Sequence, residues 1–325
     1  MIIVQKPDQT KGREIALTIG FFDGVHAGHK ALIDNVLKVA ELQNLGSAVL
    51  TFWPHPRLVL QKDPEKLRFL TTLNEKSKIV SKCGIDFLIV QEFTPQYFNQ
   101  EPEAYIKTLV KEYHVKHFVV GVDHRFGKDG KGDSSLLLQL SQELGYTVQI
   151  IEELLVDGLN ISSTKIREAL QKGDLDKANQ MLGYPYLITG AVESGKQVGR
   201  QIGFPTANIR PNDPLKLIPQ EGVYAVIVNI DGEIKQGMLN IGFRPTVENS
   251  RRQTIEVHIF DFDKEIYNSG IEIALMKRLR NEKRFQSIEL LKQQLVTDKE
   301  NAIEALKDQN SDSFQNLFLT LRSTK

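Results

Sequence analysis

His26 and His29 stand three residues apart in the stretch Gly20-Phe-Phe-Asp-Gly-Val-His-Ala-Gly-His29. At that spacing both rings project the same way from the first turn of a helix. Gly20, Gly24 and Gly28 let the backbone approach a ligand closely or take positive φ. Two imidazoles in such a place can donate to a phosphate chain and stabilise charge developing on phosphorus and on a departing pyrophosphate. A second constellation is Thr206 and Asn208, two residues apart behind Pro205. On an extended segment their oxygens fall on one side, as a hard cation's ligands would, and Pro205 fixes φ ahead of them, but spacing alone favours a turn in which Thr and Asn satisfy local backbone groups. A third is Ile161–Arg167, where Ser162 or Ser163 is a plausible helix N-cap. There the helix dipole, the hydroxyls of Ser162, Ser163 and Thr164, and Arg167 together can grip an anion. A decoy accompanies these. Gly190 to Lys196 opens like a Walker phosphate loop, but Gln197 stands where the magnesium-binding Ser or Thr belongs, so it is rejected.

The elements needed to position these groups are legible. From Ile15 to about Leu182, short β-branched runs alternate with helical periods, which predicts an α/β domain with a parallel sheet and crossover helices. Strands are predicted at 15–21, 48–53, 86–90, 117–122 and 147–151, and helices near 30–44, 74–82, 102–113, 134–144 and 163–172. Gly183-Tyr-Pro breaks that rhythm, and the remainder reads mostly β. Asp231-Gly232 between two alternating runs predicts a two-residue hairpin. The expectation is a small antiparallel β-barrel closed by a C-terminal helix, with domains at 1–183 and 184–325.

With 325 residues the chain has room for two cores, and 41% hydrophobic with 25% charged residues is the composition of a folded globular protein. Forty-one basic residues balance forty-one acidic ones, so no bulk field favours nucleic acid or an anionic membrane. The one cysteine, Cys83, forms no internal disulfide and no zinc site alone. The apolar start Met1–Val4 is shorter than a signal-peptide core of about 7–15 residues, and no apolar run approaches the roughly 20 needed to span a bilayer. A cytoplasmic protein with small-molecule substrates is expected.

The string Phe22–His29, FDGVHAGH, resembles the HxGH nucleotidyltransferases in the form seen in bacterial FAD synthetases. Thr51–Pro56, Gly121–Asp133 and Ile161–Arg167 match that family in order. Gly195–Ile209, with its GFPTAN core, resembles the riboflavin kinase signature, as do Gly222–Val226, Asn240–Val247 and Thr254–Phe262. The resemblance implies a Rossmann-like nucleotidyltransferase domain, a riboflavin kinase-like barrel, and two activities. A C-terminal kinase would convert ATP and riboflavin to FMN, and an N-terminal adenylyltransferase would convert ATP and FMN to FAD and pyrophosphate. It implies catalytic roles for His26, His29, Arg167 and Glu256, the last as base towards the riboflavin hydroxyl. ATP contacts follow at Gly20, Phe21, Asp23, Gly24, Gly28, Ser162, Ser163 and Thr164 in the first site, and at Gly195, Lys196, Gly203, Thr206 and Asn208 in the second. Flavin contacts fall on His55, Asp123, Arg278 and Arg280, and Mg²⁺ on Thr206 and Asn208. Two departures stand out: His124 where the family carries Phe, and Tyr267-Asn-Ser-Gly270 where Tyr-Gly-Lys is usual. They leave two alternatives: an adenylyltransferase with a vestigial kinase domain, and a flavin-binding regulatory module.

Overall fold

The computed structural model describes residues 1–55, 58, 67–152, 155–156, 159–194, 199, 202–245 and 251–307. Of the predicted motifs, Pro56, Gly195, Lys196 and residues 197–198, 200–201 and 246–247 lie outside these. The chain packs as two units, Met1–Ser163 and Thr164–Lys325.

The first unit is built on β1 (Ile2–Val4), β2 (Ile15–Ile19), β3 (Gly46–Trp53), β4 (Phe87–Glu92), β5 (Val115–Gly121) and β6 (Thr147–Ile151). They form one sheet in the order β1-β4-β3-β2-β5-β6, parallel at every pairing. Between them run α1 (Ala27–Gln43), α2 (Leu73–Lys82), the single turn α3 (Pro95–Phe98), α4 (Pro102–Tyr113) and α5 (Ser134–Leu144). The short ribbon β7 (Leu155–Val156) and β8 (Leu159–Asn160) follows. Every residue of β2 is buried, as expected of a central parallel strand with helices on both faces. Ile15, Leu17 and Ile19 share a core with Leu50, Ile89, Ile106, Phe118 and Leu137. From β2 the chain passes to β3 and β4 on one side and later to β5 and β6 on the other. The strand order therefore reverses between β2 and β5, and in open α/β sheets ligands bind beyond the strand C-termini at such a point.

The second unit holds α6 (Ser163–Lys172) from its second residue, α7 (Leu175–Leu182), and six strands: β9 (Tyr186–Glu193), β10 (Ala207–Pro211), β11 (Gly222–Ile230), β12 (Glu233–Pro245), β13 (Arg251–Ile259) and β14 (Gly270–Arg280). These close into an antiparallel barrel in the order β10-β13-β12-β11-β14-β9. The predicted hairpin is present, with Ile230 opposite Glu233 and positive φ at Asp231 (50°) and Gly232 (86°). β11 is buried on both faces, because α8 (Ile288–Leu306) covers the outside. Ala302 and Leu306 pack there against Ala225, Ile227, Met238 and Ala274.

The packing division falls at 163/164, ahead of the 183/184 boundary read from sequence. Helices α6 and α7 belong to the barrel unit: Asn179 Nδ2 donates to the Leu275 carbonyl (3.0 Å), Gln220 N to the Leu170 carbonyl (2.9 Å), and Lys277 pairs with Asp176 (2.6 Å). Leu175, Ala178, Met181 and Leu182 give α7 the apolar face that this packing buries.

Arg280 grips Asp298 of α8 with both prongs, at 2.8 and 2.6 Å, and Asp298 is 1% exposed. Breaking a buried ion pair from one side leaves an uncompensated charge, at about 3 kcal/mol or more. Asp298→Ala is therefore expected to lower the melting temperature of the barrel unit by on the order of 10 °C in a calorimetric scan.

Candidate functional site

The loop from Gly20 to His26 joins β2 to α1 at the strand-order reversal. His26 is the N-cap of α1, and its Nδ1 accepts the backbone N–H of His29 at 3.3 Å. With Nδ1 accepting, the proton of a neutral His26 ring sits on Nε2. The two rings stack with centroids 3.6 Å apart, and Phe22 supports His29 from 4.9 Å. Nδ1 of His29 is buried without a hydrogen-bond partner among the described residues. It lies in the first turn of α1, where free backbone N–H groups favour an anion. Burial first, then the charges of His26 and Lys76, holds the His29 imidazole well below its ordinary range, so it is neutral at physiological pH.

Several ties fix the loop. The Asp23 carboxylate accepts the amides of Leu70 (2.9 Å) and Thr71 (3.0 Å), and Gly24 N donates to Thr71 Oγ1 at 3.0 Å. Ser163 Oγ donates to the Asp23 carbonyl at 2.9 Å, so its hydroxyl serves the histidine loop, and Ser162 keeps the position before α6. Lys76 Nζ donates to the Phe21 carbonyl (2.6 Å) and to Thr51 Oγ1 (3.1 Å). Gly24 takes φ 84°, and Phe22 and Val25 also take positive φ, 49° and 36°. Non-glycine residues so placed are strained and cluster at functional loops. Gly28 packs close to the His26 ring.

Because β3 and β5 flank β2 in a parallel sheet, the loops beyond all three strands leave the same end of the sheet. His55, just past β3, stacks on the exposed Phe21 ring at 5.0 Å and lies 5.4 Å from Phe69. Asp123 is exposed just past β5. His124 stacks on Phe126 at 5.7 Å, and burial pulls it down to about 4, so the ring is neutral and takes the part of an aromatic there. Thr164 is exposed, while Arg167 is half-buried on α6 and already engaged.

In the barrel, Asn208 on β10 lies directly opposite Glu256 on β13, which puts both side chains on one face, and Thr206 Oγ1 is 3.5 Å from Glu256 Oε2. A hydroxyl, an amide and a carboxylate thus meet on the barrel surface, hard oxygen donors that fit Mg²⁺ when substrate phosphates complete the set. The segment ahead of them is shaped by Gly203 at φ 85° and by Gly199, whose missing side chain leaves room for the Phe204 carbonyl. His258, two residues beyond Glu256, is joined to the Pro205 carbonyl through Nδ1 at 2.7 Å and so holds the Thr206 segment. A cavity of about 220 Å³ opens beside Thr206, lined also by Pro205, Val192, Val257 and Tyr267. The unusual turn borders it, with Asn268 at φ 64° and its amide on the Val192 carbonyl (2.9 Å). Gly190 lies within β9, paired with Pro211 and Ile271.

The two arginines make contacts within the barrel unit, and Arg278 Nε is buried without a hydrogen-bond partner among the described residues. Arg280 is forked on Asp298, and Arg278 donates to the Glu221 carbonyl (2.7 Å) and Asn281 Oδ1 (2.8 Å). Lys76, Thr71 and His258 went unmarked in the sequence. A lysine in an amphipathic helix reads as solvated, and only the shared strand face with Glu256 pointed to His258.

The FAD synthetase family matches residues 8–165 and the riboflavin kinase family residues 182–306. The bifunctional riboflavin kinase/FMN adenylyltransferase of Listeria monocytogenes is 40% identical over 285 residues, covering 88% of this chain and 90% of that protein. The protein of the same description from Bacillus subtilis is 39% identical over 301 residues, covering 92% and 93%. A crystal structure from Streptococcus pneumoniae, described as a macrolide-efflux protein, superposes with a TM-score of 0.83 at 29% identity and covers 93% of this chain and 98% of its own. Among the described residues here, no helix is long and apolar enough to cross a membrane. The chain belongs to the family of bifunctional riboflavin kinase/FMN adenylyltransferases.

Proposed function

We propose that this chain makes FAD from riboflavin in two transfers, one in each unit. The observation that carries this is the coexistence of two phosphate-handling constellations: the stacked His26/His29 pair, and the Thr206–Asn208–Glu256 face.

In the barrel, Glu256 takes the proton of the riboflavin 5′-hydroxyl as that oxygen bonds to the γ-phosphorus of ATP and ADP departs, giving FMN. Thr206 and Asn208 hold Mg²⁺, which when bound neutralises charge on the phosphates. His258 keeps the Thr206 segment in place, and the cavity beside Thr206 is the space for the nucleotide. Glycines 195 and 203 and Lys196 complete the ATP-binding segment.

In the parallel-sheet unit, the FMN phosphate attacks the α-phosphorus of a second ATP, a bond to pyrophosphate breaks, and FAD results. His26 and His29 donate to the phosphate oxygens, with the glycines and Phe21 admitting the nucleotide against the backbone. Asp23 and Ser163 act by fixing the loop. His55 and Asp123, on the two flanking loops, take the flavin. Ser162 supplies a further anion contact. The proposed domains of activity remain 1–183 and 184–325, with Arg278 and Arg280 assigned to the flavin on the kinase side.

Reverse-phase chromatography of riboflavin incubated with ATP and Mg²⁺ tests this. FMN should rise first and FAD follow. FAD appearing only when FMN is supplied would mean that the barrel is vestigial.

A further inference from the structure

Lys76 is 4% exposed, a cation almost wholly out of water. Such burial is unfavourable, and on this face of α2, beside Ile79 and Val80, a methionine of similar length would meet the needs of packing. What the ammonium does instead is hold the start of the histidine loop. It donates to the Phe21 carbonyl at 2.6 Å and to Thr51 Oγ1 at 3.1 Å, while the Thr51 hydroxyl donates to that same carbonyl at 3.0 Å. The next residue, Phe22, carries the first positive φ of the loop. Strained backbone of this kind persists only where its surroundings over-determine it.

We propose that Lys76 is a positioning residue of the adenylyl-transfer site, clamping the Phe21 carbonyl so that the strained loop presents His26 and His29 to the nucleotide. The inference rests on the reading of that loop as the adenylyl-transfer site. The titratable groups facing Lys76 are Asp23 in the loop and His29 on α1. Burial draws the ammonium down to about 8, with Asp23 opposing the shift. The charged clamp is therefore present at neutral pH and is lost as pH rises past about 8, where a neutral amine binds the carbonyl more weakly.

The test uses the full chain with Lys76→Met and Lys76→Gln, assayed for FAD from supplied FMN, ATP and Mg²⁺ between about pH 6.5 and 9.5, with FMN formation from riboflavin measured on the same preparations. Displacement of reacting groups by about 1 Å costs on the order of 100-fold. Lys76→Met is expected to lose kcat by about that factor, with KM for FMN and ATP little changed and FMN formation intact. Lys76→Gln, which keeps a neutral donor, should recover part of the loss. The wild-type decline above about pH 8 should be absent from both. Wild-type kcat in both variants, or a loss that leaves the alkaline decline in place, overturns the proposal. Should Lys76→Met fail to fold, the pH profile of Lys76→Gln decides in the same two directions. A wild-type chain that makes no FAD from FMN at any pH would instead refute the reading of the loop.

Discussion

Glu256→Gln should abolish FMN formation while FAD formation from supplied FMN proceeds at the wild-type rate. The glutamine keeps the size of the side chain and its place opposite Asn208, so the barrel register survives. What it removes is the proton acceptor, and general-base catalysis contributes about 10²- to 10⁴-fold. Asn208→Ala should give the same pattern by a different route, because it takes away an oxygen donor beside Glu256 and Thr206. The sparing of FAD formation follows from architecture, since the histidine loop belongs to a unit with its own core. If both activities fell together in a folded Glu256→Gln chain, the assignment of one reaction to each unit would be wrong.

His29→Ala should produce the mirror image. FMN formation continues, and FAD formation falls by about 10²- to 10³-fold, the scale of losing one preorganised donor at a developing charge. The donor is preorganised because its ring is clamped between His26 and Phe22 and is neutral before substrate arrives. The pH profile carries a related expectation. A group whose folded value is depressed keeps its neutral form as pH falls through the usual histidine range, so adenylylation should show no His29-linked acid limb between about pH 6 and 7. A normal FAD yield from His29→Ala would remove the histidines from the phosphate chemistry altogether.

Most of the parallel-sheet unit was legible because its strands are buried runs and its helices carry a clear apolar period. Helix α4 begins and ends where Pro102 and Tyr113 predicted, and β6 spans the predicted 147–151. Strand β1 escaped because three residues at a sheet edge hold no period, although Ile2–Val4 pair in register with Phe87–Ile89. The pair His26/His29 was visible from spacing, and Thr206/Asn208 from motif. Their supports were not, because Asp23 with Thr71 and Lys76 with Phe21 are contacts across about fifty residues of chain. The partner of Arg280 in the charge run at Lys277–Phe285 was hidden for a related reason. Asp298, the buried partner of Arg280, sits on a helix whose sequence gives no sign of an inward carboxylate. The packing boundary shifted because α7 buries its apolar face on β14 rather than on the sheet.

On the proposed division of labour, two different phosphorus atoms of ATP reach the flavin, one at each site. Full-length chain incubated with riboflavin, Mg²⁺ and ATP labelled at either the γ or the α phosphorus tests it directly. The γ label should appear in FMN and persist into FAD, while the α label should enter FAD alone and never FMN. A flavin product that never acquires the γ label, or FAD that forms without the α label, would contradict the account.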